Sequence, residues 1–279
     1  MGCRIAYELA GVPGVSVRLL ARSPGPGWVE VEGQGRRAVE RGPAAGVGLV
    51  DLLVVLVKAY DTRPALAWAA PVVGLATVAL TLQNGLGNAE ALAEIFGPER
   101  VLVGTTAAGA RLLGPGLVRP GGDGPTLLAP WRPGGLAAER ANAVAGVLQA
   151  SLTDDPQRLL WSKLVVNAGI NALTAVLRVA NGGLLERPSA RRLMEQAALE
   201  AYHVALAEGA LLPADAVGQV ARVAAATAVN RSSMLQDLEA GRRTEVEAIN
   251  GEVVRRGREV GVATPVNAVL LDLVRGMEP

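Results

Sequence analysis

A group of residues that could do chemistry lies in an apolar stretch near the middle of the chain. Lys163, Asn167 and Asn171 are spaced four residues apart, so in a helix they lie along one face over about 12 Å. Asparagine is a poor helix former, and burying it without a partner costs about 1–3 kcal/mol. The stripe is either a polar seam satisfied by another helix or the lining of a site for a small polar ligand. We favour the ligand site, with the lysine at one end.

Lysine itself is scarce in this sequence. Of the 27 basic residues only Lys58 and Lys163 are lysines, and the rest are arginine. Arginine stays charged at any useful pH, whereas a buried lysine can shift its pKa and transfer a proton. Each lysine lies in an unusually apolar stretch, so we expect both to serve functions that arginine cannot.

A second group of polar residues lies at the ends of predicted strands. Lys58 follows the predicted strand Leu52–Val57, and Asn84 follows Ala76–Leu82. Ligands of open α/β sheets bind outside the carboxyl ends of their strands. The glycines of the loop 84–87 allow the backbone to pass close to a ligand, although a plain strand-to-helix turn would use them as well.

Arg22 ends another predicted strand, Val15–Ala21. A dinucleotide-binding fold places its ribose-reading residue at such a position, and an arginine there suits the 2′-phosphate of NADP.

The predicted secondary structure that positions these residues differs between the two halves of the chain. Up to about residue 154, β-branched runs alternate with helical patterns, including Thr62–Ala69 and Asn88–Phe96, which predicts a parallel sheet of Rossmann type. An antiparallel pair is expected between Gly116–Arg119 and Thr126–Ala129. From residue 155 onward the period is helical throughout, so we predict an α/β domain over 1–154 and an all-helical domain over 155–279. The predicted helices are Pro156–Leu177, Ser189–Glu208, Ala214–Ala228, Ser233–Glu239, Glu245–Val260 and Pro265–Gly276.

Composition excludes several classes of function. The 279 residues carry a formal charge of +1 and 3% aromatic residues, which argues against nucleic acid or a membrane surface as a main partner. With His203 and Cys3 the only residues of their types, a Cys₂His₂ zinc site and an internal disulfide are impossible, and we expect no metal site. His203 is expected to pack or face solvent. The single cysteine suits a reducing cytoplasm.

Structural roles compete with functional ones in the last third. Ser233 with Gln236, and Thr244 with Glu247, fit capping boxes. Ser233 could therefore be only a helix cap, and Glu245 only a first-turn glutamate favoured by the helix dipole.

Taken together, these residues and their neighbours form a set of spaced motifs. In this order and over nearly the whole length, the chain resembles the ketopantoate reductase family, NADPH-dependent enzymes of pantothenate synthesis. The matching segments are Val57–Ala59, Gln83–Gly87, Gly104–Thr106, Trp161–Thr174, Asn181–Gly182, Asn230–Asp237, Thr244–Glu245 and Ile249–Gly251.

The resemblance implies a cytoplasmic enzyme, a monomer or homodimer, that reduces the C2 carbonyl of ketopantoate. Lys163 would be the general acid, and Glu245 would hold substrate or cofactor in register. The implied substrate-binding residues are Asn84, Lys163, Asn167, Asn171, Asn181 and Ser233. The implied cofactor-binding residues are Gly2, Arg22, Lys58, Asn84, Ala110 and Glu245.

The start of the chain departs from the family pattern. The family opens with a strand and a Gly-x-Gly-x-x-Gly loop whose glycines cradle the pyrophosphate. Here Gly2 matches the last glycine, and the strand and first two glycines have no counterpart. We expect that the true start lies upstream of Met1; the alternative is a chain damaged in cofactor binding.

Two other functions remain open from the sequence. One is a related 2-oxo acid or hydroxy acid dehydrogenase of the same two-domain build. The other is a non-catalytic homologue with a defective cofactor site.

Overall fold

The computed structural model of the chain describes residues 1–21 and 25–279. It divides into two compact units: residues 1–83 with 88–156, and residues 84–87 with 157–279. The short loop 84–87 belongs to the second unit, although it follows a strand of the first. Arg22 lies outside the described residues.

The first unit is built on a five-stranded sheet. Its strands are β5 (Leu52–Val55), β6 (Val78–Thr81), β7 (Val101–Thr106), β10 (Thr126–Pro130) and β11 (Ser151–Leu152). They lie in the order β11-β10-β7-β6-β5, and β5, β6 and β7 run parallel. The central strands are continuously apolar, as expected for strands covered on both faces; Val78, Leu80 and Leu102 are fully buried. The helices of this unit are α1 (Gly2–Leu9), α2 (Thr62–Ala69), α3 (Asn88–Phe96) and α4 (Gly135–Leu148).

The remaining strands form two smaller sheets, of order β3-β2-β9-β8 and β1-β4. They are β1 (Arg18–Leu20), β2 (Trp28–Val31), β3 (Gly35–Ala38), β4 (Glu40–Gly42), β8 (Ala110–Gly114) and β9 (Leu117–Pro120).

The expected antiparallel pair between Gly116–Arg119 and Thr126–Ala129 is wrong. Gly116, at φ +77°, lies in a tight turn that pairs β9 with the preceding strand β8, and β2 takes the other edge of β9. Because both edges of β9 are occupied, β10 pairs with β7 and β11 instead.

The second unit is helical. Its helices are α5 (Pro156–Leu177), α6 (Pro188–Ala207), α7 (Ala216–Ala226), α8 (Ser233–Glu239), α9 (Glu252–Val260) and α10 (Pro265–Arg275). Of the helices that the structure describes, α5 is the one whose length and composition would suit a membrane span, yet 67% of its apolar window is buried within the protein. It is a core helix, as the full burial of Trp161 and Ala168 shows.

The predicted helix Glu245–Val260 is wrong over its first part. A bend at Glu245 and a turn at Val246 lead into a π-helical turn over Glu247–Gly251, and α9 begins only at Glu252. The Ala248 carbonyl accepts a hydrogen bond from Leu86 N at 2.9 Å, outside the helix. A π-helical turn of this kind interrupts the regular ladder and is frequent at functional sites.

Candidate active site

Lys163 lies one third of the way along α5, among buried Leu164 and Val165. Burial lowers the pKa of its amine to about 8, and the charge of Glu245 opposes part of that shift. The lowered pKa follows from removing an ammonium group from water, which disfavours the charged form. A lysine with a pKa near 8 is mostly protonated at neutral pH and can still release its proton, so it has the properties of a general acid.

Glu245 is buried, with 7% of its surface exposed. Its Oε2 lies 3.5 Å from Asn84 Nδ2, a long contact at the limit of a hydrogen bond. Three segments that are distant in sequence thus bring Asn84, Lys163 and Glu245 together.

The loop 84–87 depends on Gly85 to place Asn84. Gly85 has φ +84°, and a Cβ added there would lie 2.2 Å from the Ala248 carbonyl oxygen. Only glycine combines that backbone conformation with so close an approach. The π-helical turn and the loop are therefore fitted to each other.

The end of the polar stripe on α5 at Asn171 is linked by hydrogen bonds to the start of α8. Asn171 is buried and Asn167 is partly buried. The Thr174 hydroxyl lies 2.9 Å from the Asn171 carbonyl and 2.8 Å from Ser232 Oγ. This contact holds the segment that contains Ser232 and Ser233 against α5.

Ser232, rather than Ser233, caps α8. Its Oγ accepts the hydrogen bond from Leu235 N at 3.1 Å, which satisfies one of the free amides at the helix start. The structural alternative for Ser233, a helix-capping role, is therefore wrong. Ser233 is the first residue of the helix and is exposed, so its hydroxyl is not used as the cap.

Asn181 begins a short 3₁₀ turn, Asn181–Leu184. Its Nδ2 donates to Thr227 Oγ1 at 2.9 Å, and its Oδ1 is buried without a hydrogen-bond partner. A buried acceptor without a partner is costly, and a ligand hydroxyl would satisfy it.

Two of the residues predicted to bind the cofactor, Gly2 and Lys58, lie near the start of α1. Gly2 begins this helix, and a Cβ added there would meet no atom within 4 Å. The pKa of the Met1 amino group is lowered chiefly by burial, and Lys58 is near enough to lower it further. Lys58 directly follows the sheet and precedes a 3₁₀ turn. A helix N-terminus beside a cation fits an anionic group such as a dinucleotide phosphate.

Ala110 begins β8, and its neighbour Gly109 is held in place by a buried arginine. Arg4 donates to the carbonyls of Gly109 and Gly122 at 2.7 and 2.9 Å and pairs with Glu8 on its own helix. α1 and the strand that carries Ala110 are thereby fixed to each other.

Sequence reasoning missed the role of Gln83, whose side chain joins the ends of β5 and β6. Its Nε2 donates to the Val57 carbonyl at 2.7 Å and to Thr62 Oγ1 at 2.8 Å, and its Oε1 accepts from Thr81 Oγ1 at 2.9 Å. Gln83 therefore fixes the backbone just before Lys58 and just before Asn84. A glutamine at the end of a buried apolar strand was the signal that could have found it.

Within the described residues, no cluster of three or more His, Cys, Asp or Glu side chains could hold a metal ion.

The first unit has a Rossmann-type sheet with polar residues after its strands, and the helical unit carries a lysine whose pKa is lowered by burial. Two-unit oxidoreductases share this build. The ketopantoate reductase PanE/ApbA family matches residues 1–133, and its C-terminal family matches residues 155–278. The chain belongs to the ketopantoate reductase family.

Two relatives that bear the name 2-dehydropantoate 2-reductase are similar in sequence. The chain is 46% identical to 2-dehydropantoate 2-reductase of Halobacterium salinarum over 231 residues, covering 81% of this chain and 75% of that protein. It is 42% identical to the enzyme of the same name from Archaeoglobus fulgidus over 233 residues, covering 82% and 76%.

Solved structures show the same fold. That of 2-dehydropantoate 2-reductase from Geobacter metallireducens matches with a TM-score of 0.88 and 29% identity, over 98% of this chain and 95% of the other. D-mandelate dehydrogenase in a ternary complex with NADH and anilino(oxo)acetate matches with a TM-score of 0.90 and 25% identity, over 98% and 94%.

Proposed function

We propose that this protein reduces ketopantoate to pantoate with NADPH, as a cytoplasmic enzyme of pantothenate synthesis. The observation that carries the proposal is Lys163, whose pKa is lowered to about 8 by burial beside Glu245. We infer the reaction in which this lysine takes part from family membership, because the relatives in sequence bear the name 2-dehydropantoate 2-reductase.

Lys163 supplies the proton of the reaction. NADPH, when bound, supplies the hydride that adds to C2 of the 2-oxo acid. The carbonyl oxygen then gains negative charge, and the Lys163 ammonium transfers its proton to that oxygen, which leaves a neutral amine and a hydroxyl group. Glu245 keeps a useful fraction of the lysine protonated, because a nearby carboxylate favours the ammonium form.

The amides and the serine of the helical unit hold the substrate. We assign the hydroxyl and carboxylate of ketopantoate to Asn167, Asn171, Asn181 and Ser233, with Asn84 close to Glu245. The buried Asn181 Oδ1 that lacks a partner supports this assignment, since a substrate hydroxyl can donate to it.

The cofactor is held by the residues of the first unit. Gly2, Lys58 and Ala110 are assigned to the dinucleotide, and Arg22 to the 2′-phosphate that separates NADPH from NADH. Asn84 and Glu245 are assigned to the nicotinamide side. We infer a monomer or homodimer, with no nucleic acid and no membrane as partner.

A related 2-oxo acid reductase is the second candidate. It is favoured by the similarity to D-mandelate dehydrogenase, whose complex contains NADH and an oxoacetate compound.

The test is consumption of NADPH or NADH with a panel of ketopantoate, pyruvate, 2-oxoisovalerate and phenylglyoxylate. We expect kcat/KM to be highest for ketopantoate with NADPH. A higher value for phenylglyoxylate would favour the second candidate, and no turnover of any acid by a folded chain would refute both.

A further inference from the structure

Glu245 lies just before the π-helical turn at Glu247–Gly251, in a bend of the chain. Its carbonyl accepts one helical hydrogen bond, from Ile249 N at 3.1 Å. The residues beside Glu245 are also held by contacts with α10 and the segment that follows it.

Glu278, beyond the end of α10, provides the first of these contacts. Its Oε1 accepts two hydrogen bonds from Thr244, from the backbone N–H at 2.8 Å and from the hydroxyl at 2.6 Å. The same hydroxyl accepts from Val246 N at 3.1 Å. One carboxylate thus fixes the residues on both sides of Glu245, and Thr244 is almost fully buried.

Arg275, at the end of α10, provides the second contact. Its guanidinium makes a two-pronged ion pair with Glu247, at 2.6 and 2.9 Å. A bidentate arginine–carboxylate pair fixes orientation as well as distance. Arg275 and Glu278, together called the α10 clamp here, hold Thr244 and Glu247, and Glu245 lies between these two residues.

We propose that Glu278 is a positioning residue for the reaction, acting through Thr244 to hold the Glu245 carboxylate beside Lys163 and Asn84. This inference rests on the proposed function for its catalytic consequence. Nothing in the sequence motifs indicated it, because Glu278 lies 34 residues from Thr244 along the chain.

The clamp has a consequence for Lys163 that can be measured without turnover. Among the described residues, Glu245 is the charged side chain that raises the pKa of Lys163 against the effect of burial. If the clamp is lost and the carboxylate withdraws, burial acts unopposed and the pKa of Lys163 falls. A geometric role and a purely electrostatic role of Glu278 can be separated, because glutamine keeps the accepting oxygen and removes the charge.

The experiment is an NMR titration of the protein labelled with ¹³C-lysine. The chain has two lysines, so two sets of side-chain signals are expected, and Lys58→Arg assigns them. In Glu278→Ala we expect the pKa of Lys163 to fall by about one unit, the order of the effect of losing a nearby opposite charge. Glu278→Gln should restore it to near the wild-type value.

Glu195→Ala is the matched control. Glu195 pairs with Arg191 on the exposed face of α6, so its loss should leave the titration of Lys163 unchanged. Should Glu278→Ala fail to fold, Thr244→Val removes the hydroxyl alone and should give a smaller shift in the same direction.

The kinetic arm uses ketopantoate and NADPH with the same variants. We expect kcat to fall about tenfold in Glu278→Ala, as for a modest misplacement of a catalytic group. An unchanged Lys163 titration in folded Glu278→Ala would overturn the proposal, as would equal shifts in Glu278→Gln and Glu278→Ala. A titration shift in a protein that does not reduce ketopantoate would support the clamp and refute the proposed function.

Discussion

The two units present their candidate residues in different ways. In the α/β unit, Gly2, Lys58 and Ala110 lie beside the starts or ends of elements, and Lys58 is partly buried. In the helical unit, Lys163 and Glu245 are side chains held in apolar surroundings. Element ends suit the phosphates that every dinucleotide shares, whereas buried side chains can be tuned for one reaction.

The difference also appears in how each unit fixes its residues. The side chains of Gln83 and Arg4 donate hydrogen bonds to backbone carbonyls of the first unit, and so fix the position of the backbone there. In the second unit the supporting contacts lie next to functional side chains, as with Thr244 beside Glu245. The comparison therefore predicts that changes in the helical unit alter chemistry, and that changes in the α/β unit alter cofactor affinity.

The largest expected effect is that of removing the proton donor. Lys163→Ala should lower kcat by about 10³-fold, within the range that general acid catalysis contributes. The Kd of NADPH, measured by its fluorescence, should stay within about threefold. Lys163→Arg is the control for charge, since arginine cannot release a proton at neutral pH. Turnover near the wild-type rate in either variant would show that the acid lies elsewhere.

Arg22→Ala tests the prediction that changes in the α/β unit alter cofactor affinity. A charge-assisted contact with the 2′-phosphate contributes about 1.5–3 kcal/mol, so NADPH binding should weaken by about 10- to 100-fold. NADH binding should hardly change, because it lacks that phosphate. Arg119→Ala, an exposed arginine paired with Glu32, is the matched control. Equal losses for both cofactors would exclude a 2′-phosphate role for Arg22.

Gly85→Ala tests the fit between the loop 84–87 and the π-helical turn. The new methyl group would lie 2.2 Å from the Ala248 carbonyl oxygen, so the free energy of unfolding should fall by about 3 kcal/mol or more. Gly14→Ala is matched in backbone conformation, at φ +77°, and meets no atom within 4 Å. Its cost should be about 1 kcal/mol. Similar urea midpoints for the two variants would show that the loop moves away freely.

The smallest expected effects are those of substituting the adjacent residues Ser232 and Ser233, which should differ in kind. Ser232→Ala should lower the free energy of unfolding by about 1 kcal/mol, as for the loss of a helix cap. Ser233→Ala should leave stability unchanged and raise the KM of ketopantoate. The opposite pattern, with stability lost at Ser233, would restore the capping box to that residue.

Much of the fold could be predicted because local pattern decides it. The predicted bounds of α2, α3, α5 and α8 agree with the structure, since each helix begins at a polar residue or a proline that marks its start. The partner of β10 could not be predicted, because strand pairing depends on which edges other strands occupy. The π-helical turn before α9 was also missed, since its sequence continues a helical period.

The candidate site could be proposed from the sequence only where residue type was informative. The scarcity of lysine in an arginine-rich chain drew attention to Lys163, and the asparagines in an apolar helix drew attention to the polar stripe that continues from it. The cap at Ser232 and the contact of Glu278 with Thr244 depend on three-dimensional neighbours. Two adjacent serines have the same local pattern, and only the hydrogen bond to Leu235 N distinguishes them.

The central claim is that Lys163 donates the proton in a reduction of ketopantoate, and the most direct test is the rate of NADPH consumption with ketopantoate as a function of pH. The pKa of Lys163 is lowered from 10.5 to about 8, so the ammonium form is present below that pH and is lost as the pH rises through it. We predict that kcat/KM is highest below pH 8 and falls about tenfold for each unit above it. A rate that stays constant from pH 7 to pH 10 would contradict the assignment of Lys163 as the acid.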